Sequence, residues 1–187
     1  MKYLIVGLGN PGIKYKDTRH NIGFQILDYL SNDLQANFVT DRYADIASTS
    51  FRAKKVVLLK PNTFMNLSGK AVSFWQKKTK VQLNNILIVT DDISLPFGIL
   101  RLKAKGSDGG HNGLRNINEL LNSICYARLR FGVGNDFVKG QQANYVLSPF
   151  ENSQIDQIPD LKKNAIDIIK SYMLLGLDRT MNTFNGK

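Results

Sequence analysis

The chain has two histidines, and both sit beside asparagine in segments that read as loops. His20 lies in Thr18-Arg19-His20-Asn21, and His111 lies in Gly109-Gly110-His111-Asn112-Gly113. An imidazole is the side chain best matched to proton transfer near neutral pH, so each is a candidate general base. The plainer reading is a structural or exposed loop histidine. A carboxylate that accepts the other ring N–H would hold such a base in one tautomer. Asp91 and Asp92, just after the run Ile86-Leu87-Ile88-Val89, could supply it. They also suit an ordinary turn after a strand. Asn10 follows Gly7-Leu8-Gly9, and Asn62 and Asn66 follow Pro61. Asparagine amides offer a donor and an acceptor, which suits a peptide backbone read without side-chain preference. Aimed at a developing oxyanion, one such donor is worth about 2.7–4 kcal/mol.

These groups need elements that bring them together. Apolar runs predict strands at residues 3–8, 44–51, 55–60, 86–90 and 127–134. Residues 99–105 alternate apolar and basic side chains, as a half-exposed strand does. Helical spacing predicts helices from Ile22 to about Ser31, from a Ser68 cap through Trp75, and over 114–121 and 165–175. Helices between buried strands imply an α/β domain with a mixed, largely parallel central sheet flanked by helices. The length, 187 residues, suits one domain spanning 1–187. If the strands before Asn10, Asn66 and Asp91 are parallel, their carboxyl ends share one edge of the sheet. Ligands of α/β proteins bind at that edge.

Composition narrows the function classes. At 43% hydrophobic and 21% charged residues the chain is ordinary globular material. No apolar run approaches the ~18 residues of a membrane span. The opening Met1-Lys2-Tyr3-Leu4-Ile5-Val6 is too short an apolar stretch for a signal peptide. A single cysteine forms no internal disulfide, so the cytoplasm is the expected compartment. The net charge is +10, and residues 52–80 hold eight basic and no acidic side chains. Arg101, Lys103 and Lys105 stand on alternate positions. Such a field concentrates polyanions; nucleic acid is the commonest, with an anionic membrane, an acidic protein or a merely solvated surface as alternatives.

Rival motifs are weaker. Gly7-Leu8-Gly9-Asn10-Pro11-Gly12 matches the G-x-G-x-x-G pattern, but no helix opens at its third glycine. His20 and His111 with Asp91 or Asp92 lack metal-ligand spacing. Cys125 has no neighbouring base and reads as a small core residue. No serine occupies a G-x-S-x-G elbow.

Several blocks together resemble the bacterial-type peptidyl-tRNA hydrolase family. They are Val6 to Gly12, Tyr15 to Asn21 with Gly23, Pro61 to Lys70, Asp91 through Gly98, Gly109 to Leu114, and Arg128 to Gly134. They fall in family order across residues 4–134, and the remainder matches in length and helical character. Thr90 stands where some members carry histidine. The resemblance implies hydrolysis of the ester between a peptide and the 3′ ribose of tRNA. It implies His20 as catalytic base, Asp91 as its support and Asn10 as a third catalytic residue. Tyr15, Met65, Asn66, His111 and Asn112 would bind the peptide end, and Lys103, Lys105 and Arg130 would face the tRNA. It implies no metal, no organic cofactor, no obligate protein partner and no membrane; the family is usually monomeric. The residues alone agree: an ester needs no covalent nucleophile once water is activated, and a histidine base contributes ~10²–10⁴ in rate. Two other classes compete. One is a catalytically silent RNA-binding protein on the same fold; the other is a nucleotide-dependent oxidoreductase using the Gly7–Gly12 loop.

Overall fold

The first strand, β1 (Lys2–Gly7), carries apolar side chains on both faces because both faces are covered. Tyr3 and Ile5 join one core, and Leu4 and Val6 join the other. The computed structural model describes residues 1–186. After β1 come α1 (Ile22–Asp33), β2 (Val39–Asp41), β3 (Ala44–Phe51), β4 (Lys54–Pro61), α2 (Ser68–Thr79) and β5 (Ile86–Asp92). Then follow β6 (Leu100–Lys103), α3 (Asn112–Leu121), β7 (Ala127–Gly132), α4 (Gln142–Val146), α5 (Asn152–Ile155), α6 (Ile158–Leu175) and α7 (Leu177–Phe184).

The seven strands form one sheet in the order β2-β3-β4-β1-β5-β7-β6. The central β4, β1, β5 and β7 are mutually parallel, whereas β3 and β6 run against their neighbours. Leu4 lies opposite Val57 on one side and Ile86 on the other, so the ends of the three strands coincide. One core fills the space under α1 and α6, with Ile26, Leu30, Ile166 and Ile169 against Ile5, Leu58 and Val89. The other lies under α2 and α3, with Val72, Trp75, Leu114 and Ile117 against Val6, Leu59 and Ile88. Among the described residues no helix is long and apolar enough to cross a membrane.

Several sequence expectations need correction. Ser68 is not the cap of α2 but its first residue; Leu67 holds the cap position, and the Ser68 hydroxyl donates to the Met65 carbonyl at 2.7 Å. The strand expected over 99–105 is only Leu100–Lys103, so Lys105 lies beyond it. The helix expected over 165–175 begins at Ile158, because Pro159 falls in the first turn, where its missing N–H costs nothing. The short β2, α4, α5 and α7 were not expected.

Gly7 and Gly23 decide where α1 starts. A Cβ on Gly7 would lie 2.2 Å from the Gly23 carbonyl oxygen, and one on Gly23 would lie 2.6 Å from the Val89 carbonyl oxygen. The helix therefore seats directly on the ends of β1 and β5. The glycines after β1 serve this packing, and α1 opens ten residues after Gly12 rather than on it. Gly7→Ala is expected to destabilise the protein by about 1–3 kcal/mol, the range of an overpacked core, measured by denaturant unfolding.

Candidate active site

The edge formed by the carboxyl ends of β4, β1, β5 and β7 carries a cleft of about 970 Å³. Asn10, His20, Met65, Asn66, Asp91, His111 and Asn112 all line it. Parallel pairing of β4, β1 and β5 thus brings together residues up to 102 positions apart, Asn10 and Asn112 being the extremes.

Asn10 is held from three directions. Its backbone N–H donates to Asn21 Oδ1, and Asn21 Nδ2 donates to its carbonyl, both at 2.9 Å. Its side-chain Oδ1 accepts the Met65 backbone N–H at 2.8 Å. That contact settles which end of the amide is oxygen. Nδ2 takes no protein partner among the described residues and is the end left for the cleft. Asn66 and Asn112 are exposed on the same cleft.

His20 sits in a 3₁₀ turn, Arg19–Asn21, that leads into α1. Its Nδ1 lies 3.0 Å from both Asp91 carboxylate oxygens. Asp91 ends the buried run of β5 and is itself buried, so it has no water to compete for its lone pairs. It accepts the Nδ1 proton, which leaves His20 Nε2 as an unprotonated acceptor. Burial disfavours the imidazolium, but the Asp91 charge and hydrogen bond together outweigh it, so the His20 pKa is raised above its ordinary value. Burial likewise opposes ionisation of Asp91, and His20 and His111 reverse this, holding the carboxyl well below the usual range.

His111 has both ring nitrogens engaged. It caps α3: Nδ1 accepts the Gly113 and Leu114 N–H groups at 3.1 and 3.3 Å. The ring proton therefore resides on Nε2, which donates to Asp91 Oδ1 at 3.0 Å and lies 2.9 Å from Thr90 Oγ1. The sequence singled out His111 without seeing that its nitrogens face inward. His20, Asp91 and His111 present donor atoms within 4.8 Å of one another. A bound zinc would need nitrogens at ~2.0–2.1 Å from the ion and both facing atoms unprotonated. His20 Nδ1 and His111 Nε2 each lie at hydrogen-bonding distance, 3.0 Å, from Asp91.

Met65 is buried at the floor of the cleft, and the half-exposed Phe64 beside it adds apolar surface. Tyr15 lies behind the cleft wall and packs edge-on against Phe64, ring centroids 6.5 Å apart. Asn21, which clamps Asn10, had no role assigned from sequence, although it adjoins His20.

Lys103 and Lys105 are exposed on the cleft rim. Arg130 lines the same cleft but is paired with Asp92, and its Nη2 donates to Ser94 Oγ at 2.9 Å. Arg128 is buried, stacked 4.6 Å from the Tyr126 ring centroid, and donates to the Ser107 carbonyl. The basic run of residues 52–80 does not gather here. Arg52, Lys54 and Lys55 lie at the amino ends of the parallel strands, and Lys2 reaches the Thr79 carbonyl at the far end of α2.

Residues 4–187 match the family described as peptidyl-tRNA hydrolase. The chain is 50% identical to a peptidyl-tRNA hydrolase of Cytophaga hutchinsonii over 187 residues, the whole of both chains. It is 52% identical to that of Parabacteroides distasonis, again over the whole of both. The crystal structure of peptidyl-tRNA hydrolase from Acinetobacter baumannii matches with a TM-score of 0.93 at 32% identity, covering 98% of this chain and 94% of that one. The family match, relatives at 50% identity or more and a TM-score of 0.93 agree: the chain belongs to the peptidyl-tRNA hydrolase family.

Proposed function

We propose that this protein hydrolyses the ester between a peptide and the 3′ ribose of tRNA, with His20 as base and no covalent intermediate. The observation that carries the mechanism is His20 Nδ1 at 3.0 Å from both Asp91 oxygens, with Nε2 left free at the cleft. Nε2 takes a proton from water as the water oxygen attacks the ester carbonyl carbon. The tetrahedral oxyanion collapses, the bond to the ribose oxygen breaks, and His20 returns the proton to that oxygen. Asn10 Nδ2, pre-positioned by Met65 and Asn21, offers an amide donor that needs no reorganisation during the reaction. Asn66, Asn112 and Met65 line the peptide's path, and His111 fixes Asp91 rather than offering a free nitrogen.

Lys103 and Lys105 face the tRNA, and Arg130 acts from its pair with Asp92. The proposal includes a monomeric enzyme without an obligate protein partner, as the family resemblance implies. A substrate of that kind belongs to translation, and the cytoplasm is the compartment proposed.

The direct test follows release of the blocked amino acid from N-acetylaminoacyl-tRNA, with and without EDTA. Fast cleavage insensitive to EDTA is expected. A folded protein that binds tRNA without cleaving it would abandon the enzyme reading in favour of an RNA-binding module. Lys103→Ala is expected to weaken tRNA binding and lower the slope of log affinity against log salt by about one, seen in a salt titration.

A further inference from the structure

Arg19 precedes the proposed base, yet its side chain turns away from the reacting centre and is buried, at 3% exposure. Its Nη1 is within hydrogen-bond distance of four oxygens: Ser148 Oγ and Pro149 O at 2.6 Å, Tyr145 O at 3.3 Å and Ser148 O at 3.4 Å. The guanidinium carbon lies 4.1 Å from the Tyr145 ring centroid and 5.6 Å from that of Phe150. Nη2 is 3.8 Å from the exposed Glu151 carboxylate, and Nε is buried without a partner among the described residues. The backbone repeats the connection: the Arg19 N–H donates to the Ser148 carbonyl at 3.0 Å, and Thr18 bridges to Pro149.

The segment so gripped forms one wall of the cleft. Val146 and Leu147 line it together with His20. This wall has little packing of its own. α4 has five residues and buries none of them, far below the ~12–15 residues at which an isolated helix becomes even marginal. The Ala143 and Tyr145 carbonyls accept the Leu147 and Ser148 N–H groups, and Arg19 Nη1 adds a second donor to the Tyr145 carbonyl. Besides Arg19, its ties to the rest of the fold run through Tyr145, whose hydroxyl donates to the Val133 carbonyl at 2.7 Å and whose ring packs against the core and lies 4.9 Å from that of Phe137.

We propose that Arg19 is a positioning residue that locks the α4 wall to the turn carrying His20, and so sets the width of the cleft beside the base. This rests on the hydrolase reading for its kinetic consequence but not for its structural one. Lysine would keep the charge but lose the planar fan of donors and the stacking on Tyr145. The two roles of the turn separate accordingly. His20 and Asp91 keep their contact in an Arg19 variant, while the wall that confines the substrate does not.

The experiment compares wild type, Arg19→Lys and the milder Ser148→Ala, all full length, by steady-state kinetics and amide hydrogen exchange. Arg19→Lys is expected to raise KM for N-acetylaminoacyl-tRNA by about 10- to 10²-fold. The acid limb of its pH profile stays where wild type has it, and exchange quickens over residues 140–150. Ser148→Ala is expected to move KM and exchange in the same direction, by a smaller factor, and carries the test if Arg19→Lys does not fold. A merely structural role predicts a smaller active fraction with unchanged KM. That result, or exchange over 140–150 equal to wild type, would overturn the proposal. A wild type without hydrolysis would instead remove the proposed reaction, and the exchange comparison would still decide whether Arg19 holds the wall.

Discussion

His20→Ala is expected to slow hydrolysis of N-acetylaminoacyl-tRNA by about 10²–10⁴-fold while tRNA affinity is retained. The two halves of this expectation come from different parts of the cleft. In the proposed mechanism the base acts through Nε2, and its loss removes the acceptor that Asp91 orients toward the cleft. The cations on the rim, Lys103 and Lys105, are on β6 and just beyond it and do not touch the imidazole. Single-turnover cleavage and a separate tRNA-binding titration report the two quantities independently. A variant that keeps more than roughly a tenth of the wild-type rate would mean that His20 is not the base.

The second large effect is Asp91→Asn, whose consequence follows from which protons can move. His111 cannot release its Nε2 proton to the other nitrogen without meeting the two N–H groups that Nδ1 caps. The new amide must therefore turn its oxygen toward His111. Its NH₂ then replaces Oδ2 at 3.0 Å from His20 Nδ1 and donates to it. Oδ1 lies equally close to Nδ1, so the amide sets a donor against that acceptor and shifts His20 toward the tautomer with its proton on Nε2, which can no longer accept from water. The rate is expected to fall by about 10²–10⁴-fold, since this removes the same base by its tautomer. The pH profile gives a second, independent sign. In the wild type the active, neutral His20 forms only as pH rises through a pKa raised above the ordinary 6.5. Without the Asp91 charge, burial alone remains and lowers that pKa. The acid limb of the residual activity should therefore move to lower pH. A limb that stays in place or moves upward would show that Asp91 does not set the protonation of His20.

Much of this architecture was legible because its signals are local. A strand buried on both faces needs a continuous apolar run, and β1, β4 and β5 each have one. Loops that enter helices need polar and glycine residues, and both histidines stand in such loops. Once those strands are parallel, Asn10, Asn66 and Asp91 must meet at one edge, and they do. The family resemblance supplied the roles of particular asparagines, which residue type alone leaves interchangeable.

What stayed hidden was pairing at a distance. That a +10 chain attracts polyanions is a property of its sum. That Arg130 is already met by Asp92, and that residues 52–80 send much of their charge to the opposite edge, depends on strand direction. α4, five residues long, is too short to carry a strong local signal, and contacts made elsewhere hold it: Arg19 grips its end, much as Asn185, just after α7, bonds both backbone groups of Leu102. His111 could be recognised as a loop histidine before a helix. Its tautomer could not, because a proton's place on an imidazole is set by what both nitrogens touch. The sequence by itself determined which strands are buried and which residues could do proton chemistry, since burial and residue type are written position by position. Only the tertiary structure decided which nitrogen holds the proton, which cation is free and what steadies the wall of the cleft. Those properties belong to pairs of groups, and such a pair exists only after the chain has closed on itself.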